Sequence, residues 1–313
     1  MKLLGTHHIT AIASDPQSNV DFYTHLLGLR LVKRTVNFDD LGSYHFYFGD
    51  RTGRPGTIIT FFPWPGARRG TRGTGQVVAT SFTIKKQAID YWKSRFKEHH
   101  VTAEEMASRF GDNVLRFTDP DGLMLELIAS DRLEEIDLNY DSAVPREFAL
   151  RGFHAPTLEV QASKLTEQLL SQTFGFDLVG EEKSRRRFSL DPAAPSAHLD
   201  LIERPETGFG NIAAGTVHHI AFRAENAEQQ LQWRETLSEH GFRVTPVIDR
   251  QYFHSIYFRE PGGILFEIAT DAPGFAADEP VEQLGENLRL PPQFEPHRDS
   301  IERALPPITL HRP

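Results

Sequence analysis

Two doubled histidines, His7-His8 in GTHHIT and His218-His219 in GTVHHIAF, stand in stretches that alternate like strands. Downstream of the second pair, Glu267 in PGGILFEIAT adds a carboxylate. Two imidazoles and one carboxylate are the smallest common ligand set for a catalytic Fe(II) that keeps coordination positions open. Neighbouring strand residues point to opposite faces, so one member of each pair can face an ion. Spacing alone leaves open which. The chain has no cysteine, which excludes disulfides, thiolate metal sites and cysteine nucleophiles. These residues point to a metal enzyme.

The rest of the composition is that of a globular protein: 313 residues, 39% hydrophobic and 25% charged, enough for two domains or one large one. A net charge of −9 argues against general affinity for nucleic acid or anionic lipid. The basic stretches GARRGTRG (66–73) and Arg185-Arg186-Arg187 read as solvated loops. No apolar run approaches the ~20 residues of a membrane helix, and the N-terminus enters a strand pattern without a signal segment. A cytoplasmic protein is expected, with no nucleic-acid or membrane partner.

The elements that would position these side chains repeat along the chain. DPDGLMLE (119–126) matches EPGGILFE (260–267) at an offset of 141, which aligns Glu126 with Glu267 and Val78 with His219. LLGLRLV (26–32) matches TFGFDLV (173–179) at an offset of 147, which aligns His7 with His154 and His8 with Ala155. Each copy reads as a strand, a helix and three strands, judged by switches between two-residue and helical periodicity. The first module has strands near 5–13, 29–36, 43–49 and 57–62, with a helix opening at Asp15-Pro16, a capping side chain before proline. The second runs from about 76 to 129, the third from 150 to 203 and the fourth from 215 to 270. The expected domains are 1–130 (modules one and two) and 150–270 (modules three and four). A polar linker at 131–149 joins them, and a tail at 271–313 carries one short helix and packs over the domains.

Four βαβββ units in two pairs, an α+β plan, resemble the vicinal oxygen chelate superfamily, which includes glyoxalase I and the type I extradiol dioxygenases. Over nearly the whole chain the sequence is most similar to the ring-cleaving dioxygenases that act on hydroquinones. The motifs that carry this are HHIT, YHFYFGD with RPGTIITFFP, RGFHAPT, VHHIAF, DRQYFHSIYFREPGGILFE and LPPQFEPHRDSIERALP. The resemblance implies two mixed sheets, each curled into an open cup as in tandem glyoxalase-like domains, with mononuclear Fe(II) in one. It selects His8, His219 and Glu267, in a cup formed by modules one and four, as ligands. The repeat puts Ala155, Val78 and Glu126 at the matching positions of the other cup, so one metal is expected and the second cup is structural, with Glu126 hydrogen-bonded or facing solvent.

The resemblance further places His7, His218 and Thr10 in the layer around the substrate's immediate contacts, where a histidine can move a proton near neutral pH, and puts Arg250 and Tyr257 in the substrate pocket. Tyr252 and His254 lie in the same stretch and are not ranked. His25, His45, His99, His100, His198, His240, His297 and His311 have no spacing that singles them out and read as surface or structural. The implied activity is Fe(II)-dependent 1,2-cleavage of a hydroquinone, with a small aromatic diol and O2 as partners, Mn or Zn able to occupy the site in a preparation, and a homo-oligomer allowed. The alternatives are a catecholic extradiol dioxygenase, a glyoxalase-type metal isomerase or lyase, and a metal-free small-molecule binding protein.

Overall fold

The structure is a computed structural model that describes residues 1–311. The end of the expected tail lies outside the described residues. Module one comprises β1 (Thr6–Ala13), α1 (Pro16–Asp21), β2 (Arg30–Asn37), β3 (Asp40–Gly49) and β4 (Ile58–Pro63). Module two has β5 (Gln76–Lys85), α2 (Ile89–Glu98), β6 (Glu104–Arg109), β7 (Asp112–Thr118) and β8 (Met124–Ser130). Module three has β9 (Thr157–Val160), α3 (Lys164–Gln168), β10 (Asp177–Glu182), β11 (Arg185–Ser189) and β12 (His198–Glu203). Module four has β13 (Val217–Ala224), α4 (Ala227–Glu239), β14 (Ile248–Asp249), β15 (His254–Arg259) and β16 (Leu265–Thr270), and α5 (Arg298–Ala304) lies in the tail.

Local chemistry explains the first turn of module one. Asp15 accepts a hydrogen bond from the Ser18 amide at 2.7 Å and Pro16 opens α1, so the cap satisfies a helix-end donor where proline has none. A wider π-type turn (22–26) then extends α1, and the same widening follows α3 at 169–173. Modules two and four carry regular helices instead. The repeats of offset 147 and of offset 141 therefore differ in their helices as well as in their motifs.

Two eight-stranded mixed sheets result, in the orders β14-β15-β16-β13-β1-β4-β3-β2 and β10-β11-β12-β9-β5-β8-β7-β6. The antiparallel pair β1–β13 joins modules one and four, and β5–β9 joins modules two and three. Positions 1–130 and 150–270 are thus divisions along the chain, while each cup takes one module from either half. Packing ties the halves together in another way. Phe22 of module one faces Phe117 of module two, with ring centroids 6.4 Å apart, and Phe174 of module three meets Trp233 of module four edge to face at 5.4 Å. Sequence neighbours share apolar packing behind the sheets, and modules from opposite halves share hydrogen-bonded strands.

The linker lies against module one, with the Tyr140 and Ser142 hydroxyls donating to the Gly28 carbonyl at 3.1 and 2.8 Å. The tail carries three short 3-10 turns besides α5. It is anchored by Lys33, fully buried on β2, which donates to Asp278 at 2.5 Å and to Glu279 at 2.7 Å. Gly285 (φ +81°) crosses β2 so closely that a Cβ there would lie 1.9 Å from the Leu31 carbonyl oxygen, so only glycine fits.

The basic run Arg185-Arg186-Arg187 is no solvated loop. It opens β11, and Arg187 is buried in an ion pair with the fully buried Asp200. Arg185 and Arg187 meet Asp200 inside the second cup, while Arg186 on the other face pairs with Glu167 and Glu181, which a local reading of three arginines does not reveal.

Candidate metal centre and the cavity above it

His8, His219 and Glu267 come from three adjacent strands, β1, β13 and β16. The register pairs His8 with Ala221 and Ala221 with Glu267, while His219 pairs with Thr10. All three side chains are buried. The His8 and His219 Nε2 atoms are 3.3 Å apart, and Glu267 Oε2 lies 3.3 Å from the first and 2.9 Å from the second. Ligand atoms about 2.1 Å from a common centre and at right angles to one another are about 3.0 Å apart, so the three donors are spaced for one face of an octahedral ion. Although close to both nitrogens, Glu267 Oε2 is a buried atom that makes no hydrogen bond of acceptable geometry. Such an orphaned acceptor is costly unless a cation or donor meets it. Among the described residues, this is the one group of three such side chains close enough to hold an ion together.

The surroundings fix these ligands. Ser255 donates to Glu267 Oε1 through a short hydrogen bond, which leaves Oε2 turned towards the histidines. Burial would raise the Glu267 carboxyl, but His8 and His219 outweigh it and hold the group well below its ordinary range. His7 Nδ1 lies 2.9 Å from His8 Nδ1, and His218 Nδ1 lies 2.8 Å from His219 Nδ1. A histidine that offers Nε2 to a metal carries its proton on Nδ1 and donates it in a hydrogen bond, so each outer histidine accepts that bond at an unprotonated Nδ1 and is neutral. Burial, reinforced by the adjacent imidazole, pushes His7 well below its usual value and His218 to about 3, in keeping with neutral rings.

A cavity of about 440 Å³ opens above His8 and His219. His218, Arg250 and Tyr257 line it, as do Phe62, Trp64 and Phe253. Arg250 Nε donates to the Tyr257 hydroxyl at 3.2 Å, and its guanidinium also reaches Asp39 at 3.3 Å. Burial and the Glu267 charge raise the Tyr257 phenol, which stays protonated.

Two residues expected one layer back from the substrate, His7 and Thr10, stand behind the lining of this space. His7 is buried against Phe253, with ring centroids 5.2 Å apart, because strand alternation turns it away from the face that His8 presents. Thr10 is on the inner face but lies buried beneath the cavity, hydrogen-bonded to Thr60 at 3.0 Å. Of the two unranked residues, Tyr252 holds the tail through a 3.0 Å bond to Asp278, and His254 lies outside the cavity lining. His45, read from sequence as surface or structural, lines the cavity, as does Tyr47. Their alternation in YHFYFGD places both on one face of β3, and the signal that could have found them is their shared face with a strand next to the HHIT partner.

In the second cup Arg109 makes a two-pronged bond to Glu126, at 2.6 and 2.8 Å, and Arg116 and Ser81 also donate to that carboxylate. Glu126 is fully buried and paired, one of the two outcomes expected of it. Burial alone would raise it, but Arg109 and then Arg116 bring it down to about 2. At the 141 offset Arg109 aligns with Arg250 and Arg116 with Tyr257. The same walls that leave a cavity in one cup are filled by ion pairs in the other.

Comparison with known proteins agrees with this architecture. The sequence matches the profile of the "Glyoxalase/Bleomycin resistance protein/Dioxygenase superfamily" over residues 5–127 and 166–268. It is 48% identical over 309 residues to the "Putative ring-cleaving dioxygenase MhqO" of Bacillus subtilis (strain 168), covering 99% of this chain and 98% of that protein. It is 34% identical over 311 residues to the "Chlorohydroquinone/hydroquinone 1,2-dioxygenase" of Sphingobium indicum, covering 96% and 95%. A crystal structure described as a "putative dioxygenase from Bacillus subtilis" superposes with a TM-score of 0.94 at 48% identity, covering 100% of this chain and 99% of that one.

Proposed function

The chain belongs to the Glyoxalase/Bleomycin resistance protein/Dioxygenase superfamily and is a ring-cleaving dioxygenase, and from that premise we propose that it cleaves a hydroquinone-type ring by 1,2-insertion of O2 at Fe(II) held by His8, His219 and Glu267. The observation that carries this reading is the convergence of three buried ligand atoms, 2.9 to 3.3 Å apart, at the floor of an aromatic-lined cavity. Iron bound there would bring an aromatic oxygen and O2 to one centre and pass electron density between them.

The protein's own groups have separable tasks. His7 and His218 orient the ligand rings through their Nδ1 atoms, and His218 also presents its ring to the cavity. Arg250 balances the charge of a phenolate, and Tyr257 keeps a proton to donate to an oxygen near Glu267. Thr10 acts at a distance, through Thr60 and then His45. Phe62 and Trp64 give a planar ring an apolar wall and exclude water from it. The space of about 440 Å³ is about three times the roughly 150 Å³ that encloses benzene. Ring substituents therefore fit as well as the bare diol.

The test is anaerobic reconstitution with Fe(II), then oxygen uptake with hydroquinone, methylhydroquinone, chlorohydroquinone and catechol in parallel. Stoichiometric uptake with a ring-opened product from the hydroquinones is expected. Glu267→Ala should fold, by circular dichroism, yet retain no metal. Uptake with catechol alone, no uptake by fully loaded protein, or normal metal retention by Glu267→Ala would reject the reading.

A further inference from the structure

The wall of the cavity opposite Arg250 and Tyr257 carries a second polar set. In the sheet, β15 stands two strands out from the central β13–β1 pair on one side, and β3 stands two strands out on the other. Curling of the sheet brings Tyr257 on β15 and Tyr47 on β3 to the same cavity. The Tyr47 hydroxyl lies 2.9 Å from His45 Nδ1, His45 Nε2 lies 2.8 Å from Thr60 Oγ1, and Thr60 Oγ1 lies 3.0 Å from Thr10 Oγ1. Thr10 in turn pairs across the strands with the ligand His219. Four side chains thus form one continuous chain from the metal floor to the far wall. Both His45 nitrogens are engaged by hydroxyls, each able to donate or accept, so a change of tautomer reverses the direction of the whole chain. Tyr47 can then offer the cavity either a proton or a lone pair.

The second cup indicates that these positions serve the open cavity and are not a requirement of the fold. Thr157 is the counterpart of Thr10 at the 147 offset. It pairs with Asp200 as Thr10 pairs with Thr60, and Asp200 pairs with Arg187 as Thr60 pairs with Tyr47. Tyr47, His45 and Thr60 therefore correspond to Arg187, Arg185 and Asp200, where both arginines donate to the aspartate at 2.7 to 3.0 Å. Where the metal ligands are gone, this wall is closed by ion pairs. Where they are present, it is neutral and its outermost hydroxyl has capacity for one more partner.

We propose that Tyr47, held by His45 and Thr60, is a specificity-determining residue that hydrogen-bonds the substrate hydroxyl not directed at the metal. This rests on the dioxygenase reading above. A hydroquinone entering an aromatic cavity must find a partner for its second hydroxyl or leave it unsatisfied. A catechol can turn both oxygens to the metal and leaves Tyr47 unused. A site built around a substrate hydroxyl discriminates against the analogue that lacks it, because the protein group is then the one left unpaired.

Anaerobic calorimetry with Fe(II)-loaded protein, comparing hydroquinone with phenol, tests this independently of turnover. Phenol keeps the hydroxyl for the metal and lacks the second. Tyr47→Phe should weaken hydroquinone binding about tenfold, the size of one neutral hydrogen bond left unmade, and leave phenol binding unchanged. Thr60→Val, which breaks the chain one link back, should show the same selective loss to a smaller degree, with metal content unchanged in both variants. Equal weakening for the two ligands, or no weakening, would overturn the assignment. Oxygen uptake by the wild type with hydroquinone is the separate arm: its failure sinks the dioxygenase reading, whereas turnover with an insensitive Tyr47→Phe sinks this inference alone.

Discussion

Arg109→Met offers a direct test of the division between a working cup and a structural one. The guanidinium donates to both oxygens of Glu126, which is fully buried, so its removal strands a carboxylate that keeps only Arg116 and Ser81. Breaking a buried pair from one side costs roughly 3–5 kcal/mol, and the remaining Arg116 contact argues for the lower end. Unfolding entropy of ~2.1 cal/mol/K per residue over 313 residues is about 0.66 kcal/mol/K, so the expected fall in Tm is about 5 °C. Thermal unfolding by circular dichroism at pH 7 reads it. At 25 °C, metal content and oxygen uptake should match the wild type, because the pair lies in the other sheet. Replacing the pair together, Arg109→Met with Glu126→Leu, should recover most of the loss, since apolar residues of similar volume often serve as well as a buried ion pair. The reasoning is refuted if the single variant loses turnover without losing stability, or if the double variant is less stable than the single one.

The same carboxylate predicts an acid limb. Its folded pKa is depressed, so its contribution is present above about pH 4.5 and is lost as pH falls towards 2; the stability difference between wild type and Glu126→Gln should shrink over that window, and a constant difference would count against the assignment. Lys33→Met should leave Glu279 buried with Arg289 as its remaining ion-pair partner and loosen the tail, which limited proteolysis would detect as new cleavage beyond residue 271; an unchanged digestion pattern would show that apolar packing alone holds the segment.

Much of the site was legible because its chemistry repeats with differences. His8 against Ala155 and His219 against Val78 mark the positions where one cup has candidate ligands and the other does not, and a comparison internal to one sequence reveals this. The strand period then allowed one of each histidine pair to face the ion. What stayed hidden depends on pairings between distant strands. His45 has no sequence neighbour that marks it, and becomes part of the cavity because β3 pairs with β4 and β4 with β1, which sets Tyr47 beside Thr60 and Thr60 beside Thr10. Arg185 and Arg187 looked solvated for the same reason, since Asp200 lies on the next strand, 13 to 15 residues away. His7 and Thr10 lie one layer behind the cavity lining, because alternation turns one behind the sheet and the Thr60 bond keeps the other beneath the cavity floor.

The two cups together explain why one scaffold can hold an open site at tolerable cost. An open polar cavity gives up packing and leaves hydrogen-bonding groups without partners, both of which destabilise. Here the sheets share one construction, and the sequence halves are joined both by strand pairing across cups and by apolar packing behind them. The cup without a full ligand set spends its inner positions on Arg109, Arg116, Arg185 and Arg187 against Glu126 and Asp200, a closed set in which these charges meet partners. The other cup holds Glu267 Oε2 without a hydrogen bond and Tyr47 with capacity for another partner, features that add nothing to stability unless a cation and a substrate complete them. Occupation by a cation and a substrate should therefore stabilise the metal cup by linkage.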